Sequence, residues 1–409
     1  MIHNFNFWIV IFLGAGYTIW RKIKNPLQFI WQEFFIQLFA GIIVTIAIFG
    51  TLFFWFSGIS DTEIHNSYAV NTEYYEEWTE EVTYTEEECS GSGENKTCHT
   101  VTKTRHDYHP PSWQINTSTN EVIKIDETQY KNFVAKFRNE DKKFLYRINQ
   151  VSFGDGNKYV TTWSGGEENK VPIATEHTYV NYLKASKSIK KRQGVKKAYD
   201  KLLKEYPKTY EGEYGNIEVD RIVNAGVNLP VNWVKSVDSK LDSYLSNAGA
   251  RKELNILIYT VNSKDSGFIH ALEEHWIYGK KNDVIIVMGI NQFPKIEWLE
   301  IMVFAGNESL KVELRDSIKS LKDISNPEEL TQIIKTKVEQ KYKRVSMKTL
   351  EKLLYDIDLP IWVILLAMLC VATIIGFISI MSENNSKRDY SDILQKRSLR
   401  GKNGELLVH

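Results

Sequence analysis

The stretch FFIQLFAGIIVTIAIFGTLFFWF (residues 34–56) decides the architecture of this chain. A helix needs about 20 apolar residues to cross the core of a bilayer, and this stretch meets that length. A second stretch, LPIWVILLAMLCVATIIGFISIM (residues 359–381), meets it as well. A shorter apolar run, FWIVIFLGAGYTIW (residues 7–20), lies ahead of both. Together they predict an integral membrane protein with three transmembrane helices.

The N-terminal run, residues 7–20, is marginal in length for a membrane crossing. It can span if the bilayer thins or if flanking groups snorkel, and the alternative is an interfacial or re-entrant helix. Its preceding residues, MIHNFN, contain no Lys or Arg, and no small-residue cleavage site follows the apolar core. Both features argue against a cleavable signal peptide.

Basic residues predict the orientation, because Lys and Arg near membrane helices mark the cytoplasmic side. One cluster lies between the first two apolar runs and another follows the third: Arg21, Lys22, Lys24; Lys387, Arg388, Lys396, Arg397, Arg400, Lys402. Three spans put both clusters in the cytoplasm. The N-terminus and the large central region are then periplasmic or extracellular, in a multi-pass protein of the inner (plasma) membrane.

The predicted fold class is an α/β layer domain plus a mainly-β region on a membrane anchor. The predicted segments are a transmembrane hairpin (1–56), an exported mainly-β region (57–222), an α/β domain (223–325), a helical stalk (326–358), a transmembrane helix (359–381) and a cytoplasmic basic tail (382–409).

Charge excludes some classes of function. The chain has 51 Lys plus Arg and 51 Asp plus Glu, so it lacks the basic excess of nucleic-acid-binding proteins. The apolar runs hold almost no ionisable side chains, which favours anchors over a pump or channel. The expected partners are the lipid bilayer and another envelope protein, and a homo-oligomer stays open.

Cys89 and Cys98 bracket SGSGENKT in the exported region. Two cysteines around a turn, in an oxidising compartment, predict a disulfide, and reduced thiols are the alternative. Alternating residues on both sides predict a hairpin with arms Asn71–Tyr84 and His99–Tyr108. The acidic, aromatic segment Glu73–Glu88 is its expected contact surface, and an ordinary sheet face is the alternative.

A helix–strand–helix–strand–strand–helix pattern follows. Its predicted elements are Asn232–Ser246, Glu253–Val261, Gly267–Tyr278, Val284–Ile290, Trp298–Ala305 and Ser309–Leu321. The strand Val284–Ile290 is nearly all apolar, as expected of a strand covered on both faces. The pattern therefore predicts an α/β layer structure.

Residues 224–322 resemble the TPM domain family. The resemblance is carried by the strand Asn255–Val261, by His275-Trp276 at a helix end, by Gly279–Asp283 leading into an apolar strand, and by Ile301–Gly306 before a helix. Where the family has a Gly-x-Gly turn, this chain has FAGN with one glycine. Members include acid phosphatases, photosystem repair factors and accessory proteins of membrane receptors, so the resemblance implies a fold more strongly than an activity.

The same resemblance implies a cation site. Asp283 and the turn at Asn307/Glu308 are its candidate ligands, with a divalent cation such as calcium as the cofactor. Solvated turn carboxylates are the alternative. No catalytic motif is present elsewhere, because the sequence lacks a Gly-x-Ser-x-Gly elbow, a phosphate-cradling loop and a zinc-protease helix.

The sequence thus favours a membrane protein whose exported TPM-like domain binds another envelope protein in an assembly, protective or regulatory role. A TPM-type phosphatase that depends on a divalent cation is one alternative. A structural subunit of a membrane complex is another. A bacterial and a viral origin both fit this organisation.

The predicted orientation has a direct test. A Ser60→Cys variant is expected to react with a membrane-impermeant maleimide from outside intact cells, and a Ser386→Cys variant to react only after permeabilisation. The reverse labelling pattern contradicts the orientation. Both variants are compared in a Cys370→Ala background, which removes the cysteine that the predicted disulfide does not use.

Overall fold

The computed structural model describes residues 5–24, 31–91, 96–145, 147, 149–151, 156–162, 170–186, 194–304, 306–357, 359–374, 376–378 and 380–381. The chain divides into two compact units. Unit 1 comprises residues 1–61, 178–193 and 346–409, and unit 2 comprises residues 62–177 and 194–345. The predicted basic tail, 382–409, lies outside the described residues.

The helices are α1 (Phe5–Lys24), α2 (Trp31–Phe56), α3 (Glu127–Phe137), α4 (Tyr182–Ala185), α5 (Val231–Lys252), α6 (Phe268–His275), α7 (Glu308–Lys319), α8 (Pro327–Lys341) and α9 (Ile361–Ile378), with 3₁₀ turns at Lys196–Tyr199 and Met347–Asp356. The strands are β1 (Ser60–Tyr75), β2 (Trp78–Ser90), β3 (Thr97–His109), β4 (Ser112–Thr117), β5 (Val122–Ile125), β6 (Glu140–Lys143), β7 (Lys158–Thr162), β8 (Pro172–Val180), β9 (Tyr210–Glu211), β10 (Ile217–Glu218), β11 (Ile222–Ala225), β12 (Asn255–Val261), β13 (Asp283–Gly289) and β14 (Trp298–Val303).

Among its described residues, unit 1 holds two helices that are long and apolar enough to cross a membrane. They are Phe35–Phe56, within α2, and Ile361–Ile378, which is α9. Helix α1 is not among them, so its predicted crossing stays a prediction. Large apolar side chains such as Ile43 and Leu365 are exposed on these two helices, as suits a surface that faces lipid.

Helices α2 and α9 pack through side chains spaced four residues apart. The buried stripe of α2 is Gln37, Gly41, Thr45, Phe49 and Phe53. That of α9 is Val363, Ala367 and Val371. Phe49 and Phe53 share one apolar cluster with Val363 and Ala367. Residues at i and i+4 form a ridge on a helix, so this spacing gives each helix a continuous ridge for packing.

Polar groups of unit 1 gather around Asp61, at the start of β1. The Asn181 amide donates to one Asp61 oxygen at 2.9 Å, and Lys184 Nζ lies 3.5 Å from the other. Asn181 also caps α4, since its side-chain oxygen accepts the N–H groups of Leu183 and Lys184. This short helix is therefore fixed to the first residues of β1.

In unit 2, a six-stranded sheet has the order β5-β4-β1-β7-β6, with β8 also paired to β1. Helix α3 covers one face of the sheet, and its Phe133 is buried with Ala69, Ile115 and Ile173. A capping box starts α3, because Asp126 accepts the Gln129 N–H while the Gln129 side chain accepts the Asp126 N–H. The mainly-β character predicted for this region is present.

The predicted first hairpin arm, Asn71–Tyr84, is divided between two sheets. Residues 71–75 end β1 and pair with β4 and β7. Only from Trp78 onward does the chain pair with β3. Tyr74 accordingly stacks between Trp113 and Tyr159, on neighbouring strands of the six-stranded sheet. The hairpin prediction is correct in its second arm and starts too early in its first.

The second sheet of unit 2 has the order β11-β12-β13-β14. Strands β11, β12 and β13 are parallel, and β14 is antiparallel to β13. Every residue of β12 and β13 is buried, as the apolar run Val284–Ile290 predicts. Helices cover both faces, so this part is an α/β layer structure. An α/β layer structure occurs in many families, so it does not by itself assign this part to the TPM family.

Two helices connect the parallel strands from opposite faces. Trp233 and Val237 of α5 pack with Ile256 of β12, whereas Phe268 of α6 packs with Leu257. Neighbouring residues of a strand point to opposite faces, so α5 and α6 lie on different sides. Both connections advance in the same direction across the sheet, and they therefore have opposite hands. One of them departs from the usual right-handed crossover.

Helix α8 belongs to the core of unit 2. Its Leu330, Ile334 and Val338 are buried in the same cluster as the side chains of α5 and β13. Asn326 caps its N-terminus and Pro327 occupies its first turn, as the sequence Asn-Pro-Glu-Glu indicates. The segment predicted as a stalk thus contributes its first helix to the packed domain.

Leu241, at the centre of α5, gives a test of this core. Leu241→Ala is expected to lower the free energy of unfolding by about 2–5 kcal/mol, because it leaves a cavity in a closely packed cluster. The control Val312→Ala shortens a side chain that is 46% exposed on α7. It is expected to change the free energy of unfolding by less than about 0.5 kcal/mol. Denaturant titration of the full chain in detergent measures both, and equal effects contradict the packing described.

Candidate functional site

Asp283 occupies the first position of β13, directly beside Asn255 at the first position of β12. Both residues therefore lie at the amino edge of the two central parallel strands. In α/β sheets, ligands usually bind at the opposite, carboxyl edge. The position of Asp283 alone thus gives no support for a ligand site.

The carboxylate of Asp283 is 1% exposed and accepts several hydrogen bonds. Asn255 Nδ2 donates to Oδ1 at 2.9 Å, and the Lys280 N–H donates to Oδ2 at 2.7 Å. The Tyr206 hydroxyl lies 2.9 and 3.0 Å from the two oxygens. Burial raises the pKa of Asp283 to about 6, and these hydrogen bonds oppose that rise. Such a carboxylate acts as a structural acceptor that organises the start of two strands.

The network continues to Arg221, which is 2% exposed. Its three donor nitrogens reach three different elements. Nη1 donates to Asn255 Oδ1 at 2.6 Å, Nη2 to Asn66 Oδ1 at 2.7 Å, and Nε to Asp242 Oδ1 at 2.6 Å. A buried charge is tolerated when it is paired and hydrogen-bonded, and here each of the three nitrogens makes a hydrogen bond. Arg221 thereby joins β1 and α5 to the central strand β12.

The other predicted cation ligand, Glu308, begins α7. Val303 of β14 lies opposite Val284 of β13, so the start of α7 and Asp283 are at the same edge of the sheet. Glu308 is exposed. Asn307 is buried instead, and it exchanges two 2.9 Å hydrogen bonds with the backbone of Lys343. The turn is therefore fixed to the chain that follows α8.

Across the residues that the structure describes, no three His, Cys, Asp or Glu side chains are grouped so that they could hold a metal ion. The oxygens of Asp283 face protein donors. A divalent cation at Asp283 and Glu308 stays a prediction, and the observed hydrogen bonds supply no ligand set for it.

The second candidate is the two-stranded sheet formed by β2 and β3, which we call the ribbon. Its register runs from Trp78 opposite His109 to Ser90 opposite Thr97, with each strand 13 residues long. Cys89 and Cys98 are directly opposite each other and form a disulfide with an S–S distance of 2.04 Å. The predicted disulfide is confirmed. It closes the ribbon near its tip.

The two faces of the ribbon differ in chemistry, because directly opposite residues share a face. The face that carries the disulfide is rich in threonine, and we call it the threonine face: Thr79, Thr83, Thr85, Thr100, Thr102, Thr104. The threonine face has a Glu81–His106 pair at 3.4 Å, and the other face carries more ion pairs, including Lys103 Nζ at 2.7 Å from both Glu86 and Glu88. Most residues of both strands are exposed. The ribbon therefore presents far more surface than it buries.

An aromatic stack fixes the root of the ribbon. The Trp78 ring lies parallel to His109 at 4.2 Å, and the Arg147 guanidinium lies 4.4 Å from the same indole. Arg147 also donates to the Gly156 carbonyl at 2.7 Å. Gly156 has φ +74°, and a Cβ there would come within 2.7 Å of Trp78 Cβ. Glycine is therefore required at this close approach.

Comparison with protein-family models, with curated proteins and with solved structures finds no match for this chain. The resemblance of residues 224–322 to the TPM family accordingly stays a prediction.

No sequence motif predicts the Arg221 network. Arg221 stands among ordinary charged residues in EVDRIV, and Asn66 lies far from it along the chain. Only the folded chain brings them together. An arginine directly before a short apolar strand was the one local hint available.

Asp238, beside this network, predicts a pH dependence of stability. Burial, and next the Asp242 charge, raise its pKa to about 7. The folded state then binds more protons than the unfolded state between about pH 4 and pH 7, so stability falls as pH rises through this range. Asp238→Asn keeps an oxygen for the Arg221 N–H and removes the titration.

We expect the wild type to lose about 1–3 kcal/mol between about pH 4 and pH 7 relative to Asp238→Asn. Thermal unfolding of the full chain in detergent measures the difference. Asp316→Asn, an exposed carboxylate on α7, is the control and should follow the wild type. Parallel pH profiles for the wild type and Asp238→Asn would show that the Asp238 pKa is not raised by folding.

Proposed function

We propose that this chain is a membrane-anchored binding protein whose exported region engages another envelope protein through the ribbon. The observation that carries the proposal is the ribbon itself. It is a long two-stranded sheet, closed by a disulfide and fixed at one end, with most of its residues exposed. A two-stranded hairpin is marginally stable by itself. The disulfide and the contacts at one end therefore stabilise a surface that the fold does not bury, which indicates that the surface has a role in binding.

Two features of unit 1 support the anchoring role. Helices α2 and α9 have the length and apolarity that a membrane crossing needs, and they expose large apolar side chains. They also pack against each other through a continuous stripe. We propose that α1 crosses as well, because a third crossing puts both basic clusters on the cytoplasmic side. The exported region is then everything between α2 and α9.

The composition of the ribbon supports a binding role for the threonine face. Its short, uncharged threonines lose little entropy when they are covered, and their hydroxyls can both donate and accept hydrogen bonds. Tyr108, on this face, is 63% exposed. Tyrosine is enriched in protein interfaces, and antibody paratopes combine it with small polar side chains. The disulfide keeps the face in one register.

Binding is favoured over the TPM-type phosphatase because the carboxylate that would hold the cation is committed elsewhere. Asp283 is buried and accepts hydrogen bonds from Asn255, Tyr206 and Lys280. A structural subunit of a membrane complex would also bind another envelope protein. That alternative differs from the proposal only in that the contact is permanent.

Site-specific photocrosslinking in intact cells tests the proposal. A benzoyl-phenylalanine in place of Tyr84 or Tyr108 on the ribbon is expected to give one dominant adduct with another envelope protein. The control position is Val312 on α7, which has a similar exposure and should give none. Adducts from Val312 but not from the ribbon contradict the proposal. So does phosphate release by the purified protein that Asp283→Asn abolishes.

A further inference from the structure

The ribbon has two edges whose backbone groups point outward. Cys89 and Cys98 have their Cα atoms 4.0 Å apart, which matches a non-hydrogen-bonded pair (about 4.5 Å) better than a hydrogen-bonded one (about 5.5 Å). In such pairs the N–H and C=O groups point away from the partner strand. The odd-numbered residues of β2 and the even-numbered residues of β3 therefore present the outward groups.

Contacts at the root confirm this assignment. The Glu81 N–H donates to the Asn149 carbonyl at 2.7 Å, and the Val151 N–H donates to the Thr79 carbonyl at 3.1 Å. Residues 149–151 thus already lie along the outer edge of β2, where Gln150 forms an isolated antiparallel bridge with Glu80. In the described part of the chain, no strand other than β3 pairs with β2 beyond this point. The outward groups of Thr83, Thr85 and Glu87 continue the same edge.

The two strands carry opposite charge. β2 has five glutamates and no Lys, Arg or His: Glu80, Glu81, Glu86, Glu87, Glu88. β3 has one acidic residue and five that are basic or can become so: His99, Lys103, Arg105, His106, His109. Pairing β2 with the β2 of a second copy would oppose glutamates, and pairing β3 with β3 would oppose basic residues. Pairing β2 with β3 opposes unlike charges, which is the favourable arrangement.

Strand direction favours the same pairing. In an antiparallel contact between β2 of one copy and β3 of the next, both ribbons point the same way, since β2 and β3 are themselves antiparallel. Two copies anchored in one membrane share one orientation relative to it. An antiparallel contact between two β2 strands would instead turn the ribbons in opposite directions.

We propose that copies of this chain associate edge to edge, with the outer edge of β2 beyond Glu81 adding to the outer edge of β3 of a second copy. The contact is head to tail, so it continues from copy to copy into a ring or a row. Backbone hydrogen bonds hold the strands together, as in β-strand addition generally, and charge selects the edges. The inference rests on the proposed function in that the ribbon must be exported and available for contact.

Cysteine crosslinking tests the edges. Thr85→Cys and Thr102→Cys are placed in separate, differently tagged full-length copies with Cys370→Ala, and membranes are treated with a short bis-maleimide. The mixed sample is expected to crosslink, while either variant alone crosslinks at least about fivefold less, because each alone offers one edge only. Equal crosslinking by Thr85→Cys alone, or none in the mixture, overturns the proposal.

A charge exchange separates the contact from the folding of the ribbon. One variant carries Glu86→Lys, Glu88→Lys, Lys103→Glu and Arg105→Glu, so the opposed charges of Lys103 with Glu86 and Glu88 are kept in reversed sense. Copies that are both wild type or both exchanged are expected to crosslink. A mixture crosslinked from wild-type Thr85→Cys to exchanged Thr102→Cys is expected to give at least about fivefold less, because like charges then meet. If the mixed copies crosslink with the same yield as the matched copies, charge does not select the edges.

The two proposals fail separately. If photocrosslinks from the ribbon reach only a different envelope protein and the cysteine mixture stays uncrosslinked, self-association is overturned while the proposed function stands. If the cysteine mixture crosslinks and no other envelope protein is captured, self-association stands and the proposed function falls.

Discussion

Burial of the Arg221 guanidinium is the constraint on which unit 2 depends. A buried positive charge is costly unless it is paired and hydrogen-bonded, and the three nitrogens of this guanidinium donate to Asn66, Asp242 and Asn255. They belong to β1, α5 and β12, so the mainly-β region and the α/β layer cannot separate without exposing this network. Asp283 extends it to β13. Asp283, which the TPM resemblance predicts to be a cation ligand, is thus part of the structural framework.

How much the sequence could predict follows from the range of the interactions involved. The apolar stretch at residues 34–56, the disulfide between Cys89 and Cys98, and the buried strand at residues 284–290 are local patterns, and each appears in the fold. The predicted start of the hairpin is too early because residues 71–75 alternate as a hairpin arm does. Their true partners, β4 and β7, follow more than thirty residues later.

Local sequence patterns do not predict the features of the fold that depend on contacts between distant residues. Helix α8 reads as an amphipathic helix before a membrane span, and only packing shows that its apolar side faces α5 and β13. The right-handed rule for crossovers would have put α5 and α6 on one face of the sheet, whereas they lie on two. The Arg221 network joins residues 155 positions apart, and no spacing in the sequence signals such a contact.

The ribbon shows how unit 2 can present a surface without unfolding it. Its root is fixed by Trp78, His109 and Arg147, and its tip by the disulfide. Between them the strands hold each other, their faces carry threonines or ion pairs, and their edges carry charge. Natural proteins use charge on exposed edge strands to prevent indiscriminate pairing. Here the charge differs between the two edges, so it also selects which edge can meet which.

Hydrogen exchange resolved to single residues tests most directly whether the ribbon is a contact element. Inward amides, such as those of Tyr84 and Glu86, are protected by β3 in every state and serve as the internal control. Within one chain, no described residue accepts a hydrogen bond from the outward amides of Thr83, Thr85 and Glu87. We predict that these outward amides exchange slowly in native membranes and quickly in dilute detergent. Fast exchange at the outward amides in both conditions would contradict it.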